Sequence, residues 1–399
     1  MKKLYLLFII TASLCAQDIT VRSLQTYTES IKSLPIVTPG QTLKISFDLE
    51  AFSKPSLIIE FRFCDKDWNP YENVFLLNQG YNTAYNLWFD NIPIISDNIN
   101  YHYEDNFPNE DVTFPFSGKW KYFIKETGSS EILAEGRFYV ILEEMPLKVS
   151  LDQHRLNISR SENPALERSY ALSVDFTMPD TLFPMNLDYV EVIENMKLDY
   201  PYDLTKSTFE KNRSFETNGN RSFKFYARDI RPGNEYRQTN LRDKGKYKPP
   251  LTRAHFDGIE YTRFYDPGEY DNNGGFKLVD YENDFADYML VNFEFSPDTD
   301  DDIFIVGSFT DWQVLPFNQL EKEGDIYTIS FELKRGTYDY QYVSGRSDGE
   351  TVEDIDWYEY EGNFWGTSND YYIFVYYNSE EFGGYDKIIG YSKINSAGI

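Results

Sequence analysis

The chain has 399 residues and a formal net charge of −27, from 38 Lys or Arg against 65 Asp or Glu. This length exceeds one ordinary core and fits two or three domains of roughly 100 to 200 residues, while an aromatic fraction of 18% excludes the aromatic-poor composition of disordered chains. The acidity argues against nucleic acid as a partner, since a polyanion repels an anionic surface.

Residues 1–16 read as a signal peptide: Lys2 and Lys3 form the basic start, Leu4 to Ile10 the apolar run, and Ser13 to Ala16 the small-residue exit. Leu14 before Cys15 speaks against lipoprotein processing, which wants a small residue there. No later run reaches the roughly 20 apolar residues of a membrane helix. The expectation is an exported, periplasmic and soluble protein. With Cys15 removed, Cys64 is alone, and its place after the apolar run Leu57 to Phe63 predicts a buried structural thiol.

Residues 17–145 read as a first β sandwich. Leu43, Ile45, Phe47 and Leu49 alternate with Lys44, Ser46 and Asp48, the period of a strand with one face buried and one in water. Further strands are expected at Leu57 to Phe63, Trp120 to Ile124 and Phe138 to Leu142, with the boundary at Met145-Pro146. A middle β domain, 146–280, is less regular. Tyr170, Leu172, Val174 and Phe176 alternate, as do Phe223, Phe225 and Ala227, Tyr189 to Ile193 forms another candidate strand, and Asn218-Gly219 is a hairpin dipeptide.

Residues 281–399 read as an immunoglobulin-like (E-set) sandwich. Its clearest part runs from Asp302 to Val343: a buried run Ile303 to Val306, an aromatic tip at Phe309 and Trp312, and strands carrying Tyr327, Ile329, Phe331 and Leu333, then Tyr338, Tyr340 and Tyr342, with Gly336 as the turn between them. Strands Tyr371 to Tyr377 and Ile388 to Ile394 are expected to close the same sandwich. The fold class is therefore all-β, three tandem sandwiches.

Charge is unevenly spread. Lys206 to Arg253 holds 13 basic against 5 acidic residues, and Ala254 to Ile399 holds 8 against 31. Arg228, Arg231, Arg237 and Arg242 are candidate contacts to an acidic partner, the alternative being two solvated faces of opposite sign.

Chemistry finds little support. His102, His154 and His255 form no metal-binding spacing. Asp298, Asp300, Asp301 and Asp302 lack the glycine and distal glutamate of an EF-hand and read as a solvated loop. There is no nucleophile elbow, P-loop or dinucleotide fingerprint, so neither an enzyme nor a cofactor is expected. Phe309 and Trp312 could stack on a sugar ring, but the hairpin Ser344 to Gly349 supplies no second tryptophan.

Two resemblances refine this reading. GSFTDW at Gly307 to Trp312 resembles the corresponding turn of glycogen-binding-type carbohydrate-binding modules, which implies the sandwich more than the ligand. FRFCDKDWNP at Phe61 to Pro70 and YHYEDNFPNEDVTFPFSGKW at Tyr101 to Trp120 resemble first-domain signatures of the plug proteins of the bacterial type IX secretion system. DIFIVGSFTDWQ, YDYQYV, EGNFWGTSNDYYIFVYY and GGYDKIIGYSKINS resemble that family's last domain in order and spacing. Lys119-Trp120 departs from the Asn and Tyr more common there after the glycine. The resemblance implies a monomeric, non-enzymatic protein that closes the periplasmic mouth of the outer-membrane translocon and meets the membrane only through that partner. A glycan-binding protein using Phe309 and Trp312 is the alternative.

Overall fold

The computed structural model describes residues 19–397 apart from 97–98, 143, 157–166, 208–210, 220, 264–270, 298 and 300. The expected signal peptide with Cys15, and Asp298 and Asp300 of the acidic loop, lie outside the described residues. Among the described residues strands dominate, arranged as six sheets that pair into three sandwiches.

In the first sandwich, Thr20–Tyr27, Leu43–Glu50, Ile99–Phe107 and Asp90–Ser96 form one sheet. Ile36–Val37, Ile132–Val140, Gly118–Glu126, Leu57–Cys64 and Thr83–Ala84 form the other. Leu43, Ile45, Phe47 and Leu49 face the core between them, as their spacing predicts, with Phe61, Phe107, Trp120 and Phe138. Ser46 and Asp48 on the opposite face are buried as well, and Tyr288 and Lys334 of the third sandwich cover Asp48 on the side that alternation assigns to water. Cys64 is buried beside this core, and burial pushes its thiol up to about 12.

The second sandwich joins Lys148–Arg155, Arg168–Thr177, Ser222–Ile230 and Arg213–Thr217 in one sheet. Arg213–Thr217 and Ser222–Ile230 make the hairpin expected at Asn218-Gly219, pairing Thr217 with Phe223. The facing sheet holds Tyr202–Leu204, Leu187–Glu194, Asp370–Ser379 and Tyr385–Asn395. The last two strands are thus not part of the final sandwich. Asp370–Ser379 pairs antiparallel with Leu187–Glu194, Glu191 opposite Phe374, and completes the middle core through Tyr371, Ile373 and Val375.

The exchange runs both ways. Arg237–Asn240 and Phe276–Leu278, expected in the middle domain, pair with Gly336–Ser347 and belong to the third sandwich. Its second sheet is built on Tyr288–Ser296 and Ile326–Lys334. The boundary expected at residue 280 is therefore absent from the sheets: the chain enters the third sandwich at Arg237 and returns to the second at Asp370. A strand's alternation is the same whichever neighbour it joins, so periodicity could not assign these strands.

Gly336 is also more than a hairpin turn. The strands before and after it lie in different sheets, and between them Arg335 is buried. The Arg335 guanidinium donates to the carbonyls of Phe285, Leu241 and Tyr247 and to Asp287 at 2.8 to 3.1 Å. A Cβ on Gly336 would lie 2.7 Å from the Lys277 carbonyl oxygen, so only glycine permits this corner.

Candidate functional site

The four arginines of the basic segment do not share one environment. Arg228 and Arg242 are exposed; the Arg242 Nε donates to Asn240 Oδ1 at 2.9 Å. Arg231 is half-buried with its guanidinium 4.9 Å over the Tyr358 ring. Arg237 is buried, because its strand turns it into the third sandwich. Its guanidinium meets Glu361 at 2.8 Å and Glu260 at 3.0 Å and lies over the rings of Phe295 and Tyr342. Burial would raise the Glu361 carboxyl, but Arg237 and Arg263 outweigh it and hold Glu361 below the usual carboxylate range. Arg237 is a structural cation and no rim charge.

The aromatic tip faces inward too. Asp311 and Trp312 adopt left-handed backbone, φ 50° and 58°, which a bulky residue accepts only when its surroundings hold it there. Trp312 is 2% exposed. Its indole N–H donates to the Gly274 carbonyl at 2.7 Å, and its ring packs 4.3 Å from that of Tyr236. Phe309 packs against Phe293 and Phe331. The tip lines a cavity of about 430 Å³ where the three sandwiches meet, together with Tyr27, Arg137, Met196 and Lys334. A sugar ring would find no free indole face, so the stacking role considered for Phe309 and Trp312 has no exposed platform.

The functional residues that alternation missed are the charged groups between sandwiches. Asp48 of the first sandwich accepts hydrogen bonds from Lys334 Nζ (2.6 Å) and the Tyr288 hydroxyl (2.6 Å) of the third, and lies 2.7 Å from His102 Nδ1. Burial alone would raise the Asp48 carboxyl; the His102 hydrogen bond and the Lys334 ammonium hold it below its ordinary value. Between the first and second sandwiches Lys119 pairs with Glu191 at 2.7 Å, both buried, while the hydroxyls of Tyr139 and Tyr376 donate to the second Glu191 oxygen. Around this pair Tyr139 stacks on Phe374 at 4.4 Å and Tyr189 on Tyr376 at 4.8 Å. At the junction of all three, Arg137 grips Asp199 through its two terminal guanidinium nitrogens (2.5 and 2.7 Å), and Gln313 donates to the same carboxylate at 3.0 Å.

Two of these pairs, Asp48 with Lys334 and Lys119 with Glu191, are buried, whereas Asp199 is exposed. A buried ion pair adds little net stability over an apolar one, but removing one partner strands the other and costs about 3–5 kcal/mol. They therefore specify one arrangement of the sandwiches. Among the described residues no group of three or more His, Cys, Asp or Glu is placed to hold a metal ion.

Residues 20–142 match the type 9 secretion system plug protein 1st domain. The first sandwich is similar to that domain of the plug family. The matched region spans the strands that carry Asp48, Lys119 and Arg137, so the first sandwich supplies one member of each of these three pairs. Families of this kind are structural and non-catalytic. The whole fold is shared with a solved structure of a hypothetical protein from Parabacteroides merdae ATCC 43184, with a TM-score of 0.73 at 20% identity, covering 95% of this chain and 98% of that one. At that identity the likeness shows the fold alone. No curated protein matches the chain. No helix among the described residues is long and apolar enough to cross a membrane.

Proposed function

We propose that the chain closes the periplasmic end of the outer-membrane translocon of type IX secretion, acting as a removable body without chemistry of its own. The observation that carries this reading is the joining of the first sandwich to the two others by directional contacts: the buried pairs Asp48 to Lys334 and Lys119 to Glu191, and, nearer the surface, Asp199 held by both Arg137 and Gln313. A stopper must resist deformation under a solute gradient, and charge pairs buried between domains permit one arrangement where a greasy interface would tolerate sliding. The plug-family match of the first sandwich names the machinery. On this reading the protein is a periplasmic monomer that reaches the outer membrane through its partner.

The test is permeability. Deleting the chain in cells that keep the translocon should let large hydrophilic solutes leak across the outer membrane while secretion continues. An outer membrane that stays tight after deletion overturns the proposal.

A further inference from the structure

Asn73 to Phe89 is a run of 17 residues without a single Asp, Glu, Lys or Arg, the longest such run in a chain that is 26% charged. It is not core. Val74, Phe75, Tyr81, Tyr85 and Trp88 are 64%, 69%, 56%, 61% and 84% exposed, in a protein whose other aromatics are largely packed away. The run contains Thr83–Ala84, an edge strand of one sheet of the plug domain, and leads into Asp90–Ser96, an edge strand of the other. Tyr85 and Trp88 thus lie on the crossing between the sheets, at the domain's open side.

The segment is held in shape by its own polar groups. Asn78 Nδ2 donates to the carbonyls of Tyr81 and Thr113, and Thr113 N–H donates to the Tyr81 carbonyl at 2.9 Å. Left-handed backbone at Asn78, Gly80 and Asn86 sets the turns. The exposed rings are presented by an ordered scaffold, which lowers the ordering cost of binding. The surface also extends beyond the domain. Phe75 stacks on Phe382 (6.3 Å) from the last hairpin, and Asn73 donates to the Phe382 carbonyl at 2.5 Å.

We infer that Asn73 to Phe89, with Phe382, is the face that docks on the translocon, and that the opposing protein surface is uncharged, apolar at its centre and provided with amide or backbone hydrogen-bonding groups. This rests on the plug reading above. The centres of protein interfaces are depleted in charge and enriched in aromatic residues, because each buried charge must shed water. On a chain of net charge −27, the run itself carries no charge; exposed Glu72 and Asp90 border it, and the Lys54 ammonium lies 4.9 Å over the Trp88 ring. A lipid surface fits less well: the exposed amide side chains of Gln79 and Asn86 need hydrogen-bond partners that hydrocarbon lacks, whereas a protein surface supplies them. The exposed basic residues Arg228 and Arg242 lie outside the run and, among the described residues, Lys54 is the one cation over its Trp88 ring, so docking through the uncharged run should respond weakly to salt.

The full-length protein is tagged and recovered with detergent-solubilised outer membranes that contain the translocon, whose co-purification is scored by identity. The wild type should retain the translocon, with less than about a twofold change between about 0.05 and 0.5 M salt. Phe75→Asp/Tyr85→Asp/Trp88→Asp should lose it by at least about tenfold, and Arg228→Glu/Arg242→Glu should retain it. A thermal melt checks folding, and Trp88→Ser alone gives a milder variant expected to fold and to weaken retention. If the Asp variant retains the translocon as the wild type does, this face is wrong while the plug reading stands. If the wild type retains nothing and deletion leaves the membrane tight, the plug reading fails and takes the inference with it. Trp88-dependent flotation of the wild type with phosphatidylethanolamine vesicles would overturn the protein-partner assignment.

Discussion

Two aromatic loops of this molecule have opposite fates. Ser308 to Gln313 carries Phe309 and Trp312 into the junction of three sandwiches, where Trp312 is 2% exposed. Asn73 to Phe89 carries Tyr85 and Trp88 outward, and Trp88 is 84% exposed. Both are aromatic segments ended by turns, so their composition does not separate them. The difference is what lies opposite: Tyr236 and the Gly274 carbonyl receive Trp312, while Trp88 meets from its own chain the Lys54 ammonium, 4.9 Å over its ring. An aromatic loop becomes structure where a second domain covers it and remains a binding surface where none does.

The largest effect that sharpens this contrast is expected at Arg237. Arg237→Glu places a third carboxylate against Glu361 and Glu260 in a buried site, and should cost at least the about 3–5 kcal/mol of a broken buried pair, visible as loss of the cooperative melt. Arg228→Glu, at an exposed position, should stay within about 0.5 kcal/mol. Comparable melts for the two variants would show that Arg237 is not the buried cation described.

Next come the tryptophans themselves. Trp312→Ala should lower stability by about 3–5 kcal/mol, the usual result of truncating a buried aromatic, and Trp88→Ala should change it by no more than about 0.5 kcal/mol. Equal denaturant midpoints would erase the distinction between the loops.

The pH dependence should be two-sided and smaller. Burial, with Glu191 nearby, raises Asp203 to about 6, and burial raises Asp339 to about 6. A folded value above the unfolded one, about 4 for Asp, means that the folded state binds protons more readily, so stability should rise as pH falls from 7 through 6 toward 5. Asp48, Asp199 and Glu361 are held low by their cationic partners. Their contribution is present above the unfolded value of about 4 and is lost as pH falls through their depressed folded values. Melting temperature against pH should therefore peak near about pH 5, and a monotonic rise from pH 4 to 8 would contradict it. The smallest readout is Cys64, which should react with a maleimide only after denaturation; rapid labelling of the native protein would place the thiol elsewhere than in the core.

Much of the local structure was legible before any coordinates. Leu43 to Leu49, Tyr170 to Phe176, Phe223 to Ala227 and Ile303 to Val306 all lie in strands whose apolar residues face a core, because strand period is written in nearest-neighbour alternation. Asp48 sits on the polar side of that alternation, so it reads as solvated, and alternation alone singles out neither Glu191 nor Lys119. Their strands gave no sign that another sandwich would cover them. Lys119 is the buried cation opposite Glu191.

By itself the sequence determined an all-β chain, its strands, its acidic character and the plug-family likeness of its first part, since each rests on composition or on short-range order. Only the tertiary structure decided that Asp370–Ser379 and Tyr385–Asn395 return to the middle sandwich, that Arg237 and Trp312 are buried, and that Trp88 is not. Those outcomes depend on which surfaces meet across more than 100 residues of chain, and a pleat repeating every two residues carries no information about its partner.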